Sequence, residues 1–169
     1  LSIGSETAGG VSNVTVERVS FKGPRPGIRL PRGRGRGNDI GNFTYRDLTM
    51  DGVETPIQLT MYYTGGLADL SGHKMEEHTP RFHDIRIENL TATNAKNAAQ
   101  VMGLPESPIK NLVLKNVKIS ADRGMVARYA EIVEDDVEIT AKNGNPLEPG
   151  PGLTINGKPA GPTTSTLAP

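Results

Sequence analysis

A right-handed parallel β-helix is the fold this sequence predicts, and three observations predict it. One short alternating pattern recurs along the chain, helical periodicity is weak throughout, and glycine and proline supply 20 and 13 of the 169 residues. That much Gly and Pro suits many short strands joined by turns rather than a helical bundle. The fold class is therefore all-β, with about five coils and a Pro/Gly-rich C-terminal tail.

The recurring stretches read VSNVTVERVSF from Val11, IGNFTYRDLTM from Ile40, FHDIRIENLTA from Phe82 and IKNLVLKNVKI from Ile109. Each opens on an apolar residue and then places Asn13, Asn42, Asp84 or Asn111. An alternating apolar pair follows (Val14/Val16, Phe43/Tyr45, Ile85/Ile87, Leu112/Leu114), and each stretch continues to Val19, Leu48, Leu90 or Val117. A fainter copy, IVEDDVEIT, starts at Ile132. Side chains two apart share one face of a strand, so alternation is a strand signal. No single unit can bury its apolar face alone, and recurrence therefore points to stacked coils.

The spacings between the four starts are 29, 42 and 27 residues. Leucine-rich repeats carry a denser Leu pattern, and propeller blades need four strands per unit, which leaves the β-helix. The asparagines at matching positions are expected to turn the chain, because Asn tolerates left-handed backbone. Asn13, Asn42 and Asn89 also stand in glycosylation sequons, but the repeat already accounts for them.

The coils are expected to occupy residues 1–142. The longest break in the repeat, 62–79, reads as a loop inserted between coils, and such loops often lie on a binding face. Arg123 to Glu134 is a candidate helical turn, although another coil is due there. From Asn143 the chain is rich in Pro, Gly and Thr, so 143–169 is expected to run as an extended or fraying tail.

Composition excludes several functions. Without cysteine there is no disulfide, thiolate metal site or cysteine nucleophile. With 19 basic and 19 acidic residues the net charge is +0, so no global field draws the chain to nucleic acid or membrane. No apolar run approaches the roughly 20 residues of a membrane-spanning helix.

The segments SIGSETAGGVSNVTV, GIRLPRGRGRG, TPIQLTMYY, TPRFHDIRIENLTAT and MGLPESPIKNL, in that order, resemble the C-terminal half of bacterial polygalacturonase-like glycoside hydrolases of family 28. The resemblance covers roughly Ser2 to Asp122. It implies a right-handed parallel β-helix that hydrolyses galacturonic-acid polymers with inversion, secreted or periplasmic, without a cofactor. In that family an Asn-Thr-Asp, an Asp-Asp and a Gly-His-Gly precede the SIGS segment and supply the acid, the water-activating carboxylates and a supporting His. The text here starts after them, so no residue is assigned a catalytic role. Inversion needs an acid and a base about 6.5–9.5 Å apart.

The resemblance does reach the substrate-binding side. The family's Arg-x-Lys corresponds to Arg29-Leu30-Pro31, so Arg29 matches the binder of the substrate carboxylate while Pro31 replaces the Lys. Arg32 next door is expected to compensate. The family's Tyr near the catalytic subsite corresponds to Tyr62 or Tyr63, with the register open.

Arg25, Arg29, Arg32, Arg34 and Arg36 fall within twelve residues. Guanidinium forks match carboxylates two bonds at a time, so a row of them suits a uronate polymer. A solvated loop, or an RNA-binding Arg-Gly segment, are the other readings of this stretch. His73, His78 and His83, with Glu76 and Glu77, match no familiar zinc spacing and read as a polar insertion with His83 on the surface. Asp135 and Asp136 are neighbours whose side chains would leave opposite faces of a strand, and Glu106 belongs to a turn. No metal site is expected.

The expected partner is therefore an acidic polysaccharide. The chain reads as part of a polygalacturonase-type hydrolase, as a non-catalytic binding β-helix lacking the catalytic aspartates, or as a structural solenoid. A β-helix cut across a coil exposes an apolar cross-section and unpaired edges. A homo-oligomer, or further N-terminal coils, is expected to cover them.

Overall fold

The computed structural model describes residues 1–63 and 70–162. Residues 64–69 of the expected inserted loop and 163–169 of the expected tail lie outside the described residues. The described chain is all-β: β1 (Val11–Lys22), β2 (Ile28–Pro31), β3 (Asp39–Asp51), β4 (Ile57–Thr60), β5 (Arg81–Met102), β6 (Ile109–Arg128), β7 (Ala130–Pro149), β8 (Leu153–Ile155) and β9 (Lys158–Pro159). Neighbours run in the order β1-β3-β5-β6-β7-β8-β9, and β4 bridges β2 to β5. All these pairs are parallel except the closing β8–β9 hairpin. This winding of parallel rungs is a parallel β-helix.

The repeats lie in register. Val11 pairs with Ile40, Ile40 with Phe82, Ile109 with Ala130 and Ala130 with Leu153. The long strands are bent rods. Asn13 and Arg18 drop out of the β1–β3 pairing, and both have positive φ, 60° and 57°. Asn42, Asp84 and Asn111 repeat the first bend, while Asp47, Asn89, Asn116 and Asp136 repeat the second, all at positive φ. The short polar side chain of Asn or Asp eases a conformation that costs most residues about 1–2 kcal/mol. It also bonds along the stack: Asn42 donates to Asn13 Oδ1, Asn111 to Asp84 Oδ1 at 2.6 Å, and Asn116 to Asn89 Oδ1 at 3.0 Å.

Between the bends, inward residues form columns. Val14, Phe43, Ile85, Leu112 and Ile132 are one; Val19, Leu48, Leu90, Val117 and Val137 are another. The middle rungs are sealed, with Ile85, Leu90, Leu112 and Val117 at 0% exposure. Each such side chain contributes roughly 1.5–3 kcal/mol of burial. At the first rung Val14, Val16, Val19 and Phe21 are only partly buried.

Two expectations are corrected here. Arg123 to Glu134 holds no helical turn: it is the end of β6 and the start of β7, joined at Tyr129 with φ 43°, and Met125, Ala127, Ala130 and Ile132 continue the interior columns. The Pro/Gly-rich stretch does not leave the coil at 143. β7 runs on to Pro149, with Asn143 opposite Arg123 and Leu147 opposite Met125. Gly144, Asn145 and Pro146 are accommodated in a bulge between those pairs, so the proline removes no ladder bond.

Candidate functional site

β2 alternates in burial: Ile28 and Leu30 point into the core, and Arg29 points out. Its neighbours extend Arg29 into a surface row. Ser2 bridges to Arg29, Arg29 pairs with Gln58, Gln58 with Gln100, and Gln100 with Val126. The row is bonded side chain to side chain. Arg29 Nε donates to Gln58 Oε1 at 3.0 Å, and Gln58 Nε2 donates to Gln100 Oε1 at 3.0 Å. The guanidinium carbon stands 5.2 Å from the ring centroid of Tyr63. Tyr63 is 44% exposed, and its backbone N–H is held by the Arg32 carbonyl at 2.7 Å. Among the described residues no side chain occupies the two Nη groups of Arg29. A forked donor edge beside an open aromatic ring suits a sugar carboxylate and the face of the ring that bears it.

The neighbouring arginines do not form a row with Arg29. Arg32, expected to face the ligand, is 0% exposed. Its Nη1 donates to the carbonyls of Ile3 and Pro31, both at 2.6 Å, and burial pulls its guanidinium down in pKa. Gly4, at φ 117°, makes room for it, since a Cβ there would stand 1.4 Å from Nη1. Arg34 is bound to Glu106, Nε to Oε1 at 2.6 Å and Nη2 to Oε2 at 3.1 Å, with its guanidinium 5.9 Å from the Tyr62 ring. Arg36 pairs with Glu6 at 3.1 Å. The chain turns after Pro31, so strand alternation no longer sets which arginine faces out.

Tyr62, the other expected tyrosine, is 7% exposed, and burial pushes its phenol up. It packs beneath the loops that Arg34 ties together. Glu106 takes part in that tie: burial pushes its carboxyl up, but the bonds from Arg34 and the backbone N–H groups outweigh this and leave it below its ordinary range.

His83 lies in a carboxylate clamp on the surface, where sequence reasoning places only a surface residue. Nδ1 is 2.7 Å from Asp84 and Nε2 is 3.0 Å from Asp39, one rung away. Those bonds, Asp84 first, raise its pKa and lower both aspartates. The imidazole lies flat on Gly41, where a Cβ would come within 2.2 Å of it. No group of His, Asp and Glu among the described residues is arranged to hold a metal ion. Asp136 is itself a left-handed bend, and Asp135 is exposed beside Lys115, so neither works with the other. Gln58 and Gln100 escape sequence reasoning because only the rung register sets them beside Arg29.

The glycosyl hydrolases family 28 model matches residues 1–138, most of the chain. The chain belongs to this family. Similar proteins are a probable polygalacturonase of Vitis vinifera, 29% identical over 119 residues, and a polygalacturonase of Prunus persica, 29% identical over 126. These alignments cover 70% and 71% of this chain, but 24% and 31% of the relatives. A polygalacturonase of Ralstonia nicotianae is 32% identical over 89 residues, half of this chain and 17% of that protein. The family 28 chain thus spans about a quarter to a third of the curated relatives it matches most fully. No solved structure matches it significantly.

Proposed function

We propose that this family 28 chain holds galacturonan, an acidic polysaccharide, on Arg29 and Tyr63, as the substrate-binding portion of a polygalacturonase-type hydrolase. The observation that carries the reading is the exposed fork of Arg29, fixed at Nε by Gln58 and backed by Tyr63. A uronate carboxylate accepts from the two Nη groups, and the Tyr63 ring lies against the C–H face of the sugar. Arg32 and Tyr62 act from beneath. Arg32 supplies the carbonyl that seats Tyr63, and Tyr62 packs under Arg34.

The names of the relatives support galacturonan as the polymer. Cleavage with inversion belongs in this reading to the acid, the base and the His of the family motifs, and no residue of this chain is given those roles. The alternative is a non-catalytic binding β-helix. What favours it is that the carboxylates around the arginine loop, Glu6 and Glu106, are engaged by arginines.

Affinity electrophoresis in polygalacturonate tests the binding. The native chain is retarded, and Arg29→Ala migrates as it does without polymer; equal retardation of the two refutes the site. Release of reducing sugar ends separates hydrolase from binding module.

A further inference from the structure

We propose that Gln58, itself held by Gln100, is a positioning residue that makes Arg29 select a free uronate carboxylate over its methyl ester. The inference rests on the binding reading above and concerns how that site discriminates.

A guanidinium has one N–H at Nε and four at the two Nη atoms. At Arg29 the Nε–H is spent on Gln58 Oε1 at 3.0 Å. A primary amide has two ends, and a flipped Gln58 would set N–H against N–H. On the far side Gln58 Nε2 donates to Gln100 Oε1 at 3.0 Å, so the orientation that serves Arg29 is also the one that serves Gln100. Donors therefore point one way along three rungs, from Arg29 through Gln58 to Gln100, and each bond polarises the next. The backbone holds all three in line, with Arg29 paired to Gln58 and Gln58 to Gln100.

The relay fixes which edge of the guanidinium is offered. With Nε anchored and the Tyr63 ring 5.2 Å from the guanidinium carbon, the Nη1/Nη2 edge is left to the ligand. That edge matches two equivalent oxygens sharing one negative charge. A methyl ester presents one good acceptor and no charge, so it satisfies half the fork. Freed from Gln58, the guanidinium would turn about its long stem, and the ordering cost would fall on binding. Gln58 bears no charge, so its effect on the ligand runs through Arg29.

The test compares Gln58→Leu, Gln100→Leu and Arg29→Ala with the native chain. Calorimetry measures each against an oligogalacturonate and against the same oligomer fully methyl-esterified, and circular dichroism checks that each variant is folded. Gln58→Leu is expected to weaken the acid oligomer about three- to tenfold, the worth of one net hydrogen bond, while the ester moves far less. The acid-to-ester ratio therefore falls. Gln100→Leu, which touches neither Arg29 nor the ligand, lowers the ratio by a smaller factor and serves if Gln58→Leu does not fold. A ratio unchanged in both glutamine variants, or equal losses for acid and ester, overturns the relay while Arg29→Ala still abolishes binding and the site stands. Native binding that Arg29→Ala leaves intact, or no native binding at all, overturns the site and the relay with it.

Discussion

Arg34 and Glu106 are 72 residues apart in the chain, and their Nε and Oε1 atoms are 2.6 Å apart in the fold. The pair is largely shielded, with 22% and 6% of the two side chains exposed. It also gathers the loop after 70, since Arg34 Nη2 donates to the Ser71 carbonyl at 2.8 Å and Glu106 accepts from the His73 N–H at 3.4 Å. One ion pair thus joins three loops on the side that carries Tyr62.

Removing the cation leaves a buried carboxylate without its counter-ion. The pair is only part-buried, so Arg34→Ala is expected to cost about 1–3 kcal/mol, and Glu106→Gln, which keeps the shape and some hydrogen bonding, roughly 1 kcal/mol. Urea unfolding checks both. Equal midpoints for Arg34→Ala and the native chain would show that the tie carries no stability.

The clamp of His83 between Asp84 and Asp39 sets a pH dependence. The folded pKa of His83 lies above its ordinary 6.5, so its stabilisation is complete below that value and is lost as pH rises through the folded one. The two aspartates lie below their ordinary 3.8, so their share is complete above it and is lost as pH falls through the folded values. The clamp is therefore fully effective between these two ordinary values. His83→Asn is expected to flatten the alkaline limb of the thermal midpoint against pH. Gly41→Ala, whose Cβ displaces the imidazole, should do the same. An alkaline limb of native slope in both variants rules the clamp out.

Much of the fold is legible in the text because one column and one bend recur in each rung. Aligning the repeats at Val11, Ile40 and Phe82 reproduces the ladder of partners. The alignment slips at Ile132, which pairs with Leu112 rather than with Ile109. That rung has no Asn or Asp at its first corner, and its irregular register leaves no pattern to align on. The site is legible only where alternation holds. Arg29 faces out because Ile28 and Leu30 face in. Beyond Pro31 the chain turns, and nothing in RGRGRG tells the buried Arg32 from the paired Arg34. Gln58 and Gln100 look like ordinary surface polar residues until the rungs are stacked.

Asn89 tests the bends. It holds φ at 52°, donates to Asp47 Oδ1 at 2.9 Å and accepts from Asn116 at 3.0 Å. Asn89→Ala loses both side-chain bonds and adds the left-handed penalty, for a loss of about 2 kcal/mol. Asn89→Gly loses the bonds but escapes the penalty, so its loss is expected to be about half as large. Chemical denaturation ranks the two. Glycine proving as costly as alanine would mean that the ladder, rather than the backbone, dictates Asn at the corner.

The first rung is the place where the fold invites a partner. Val14, Val16, Val19 and Phe21 aim at the core from β1, yet they are only partly buried, whereas Phe43, Tyr45, Leu48 and Met50 beneath them are 1–3% exposed. Among the described residues no strand pairs with the other edge of β1, which ends the sheet order. An open edge beside an apolar cross-section is a template for further pairing. Further N-terminal coils or a second copy would cover this end, so these 169 residues produced on their own are expected to self-associate through it, with a sedimentation mass that climbs with concentration. Val14→Lys with Val16→Lys places two charges on the cross-section and should return the mass to that of a monomer. Because these positions are only partly buried, the ammonium groups can reach water and the coils below stay folded. The same change at Ile85 and Ile87, both at 0% exposure, would unfold the chain. A native chain that stays monomeric at every concentration, or an association indifferent to the lysines, would mean that this edge is closed in some other way.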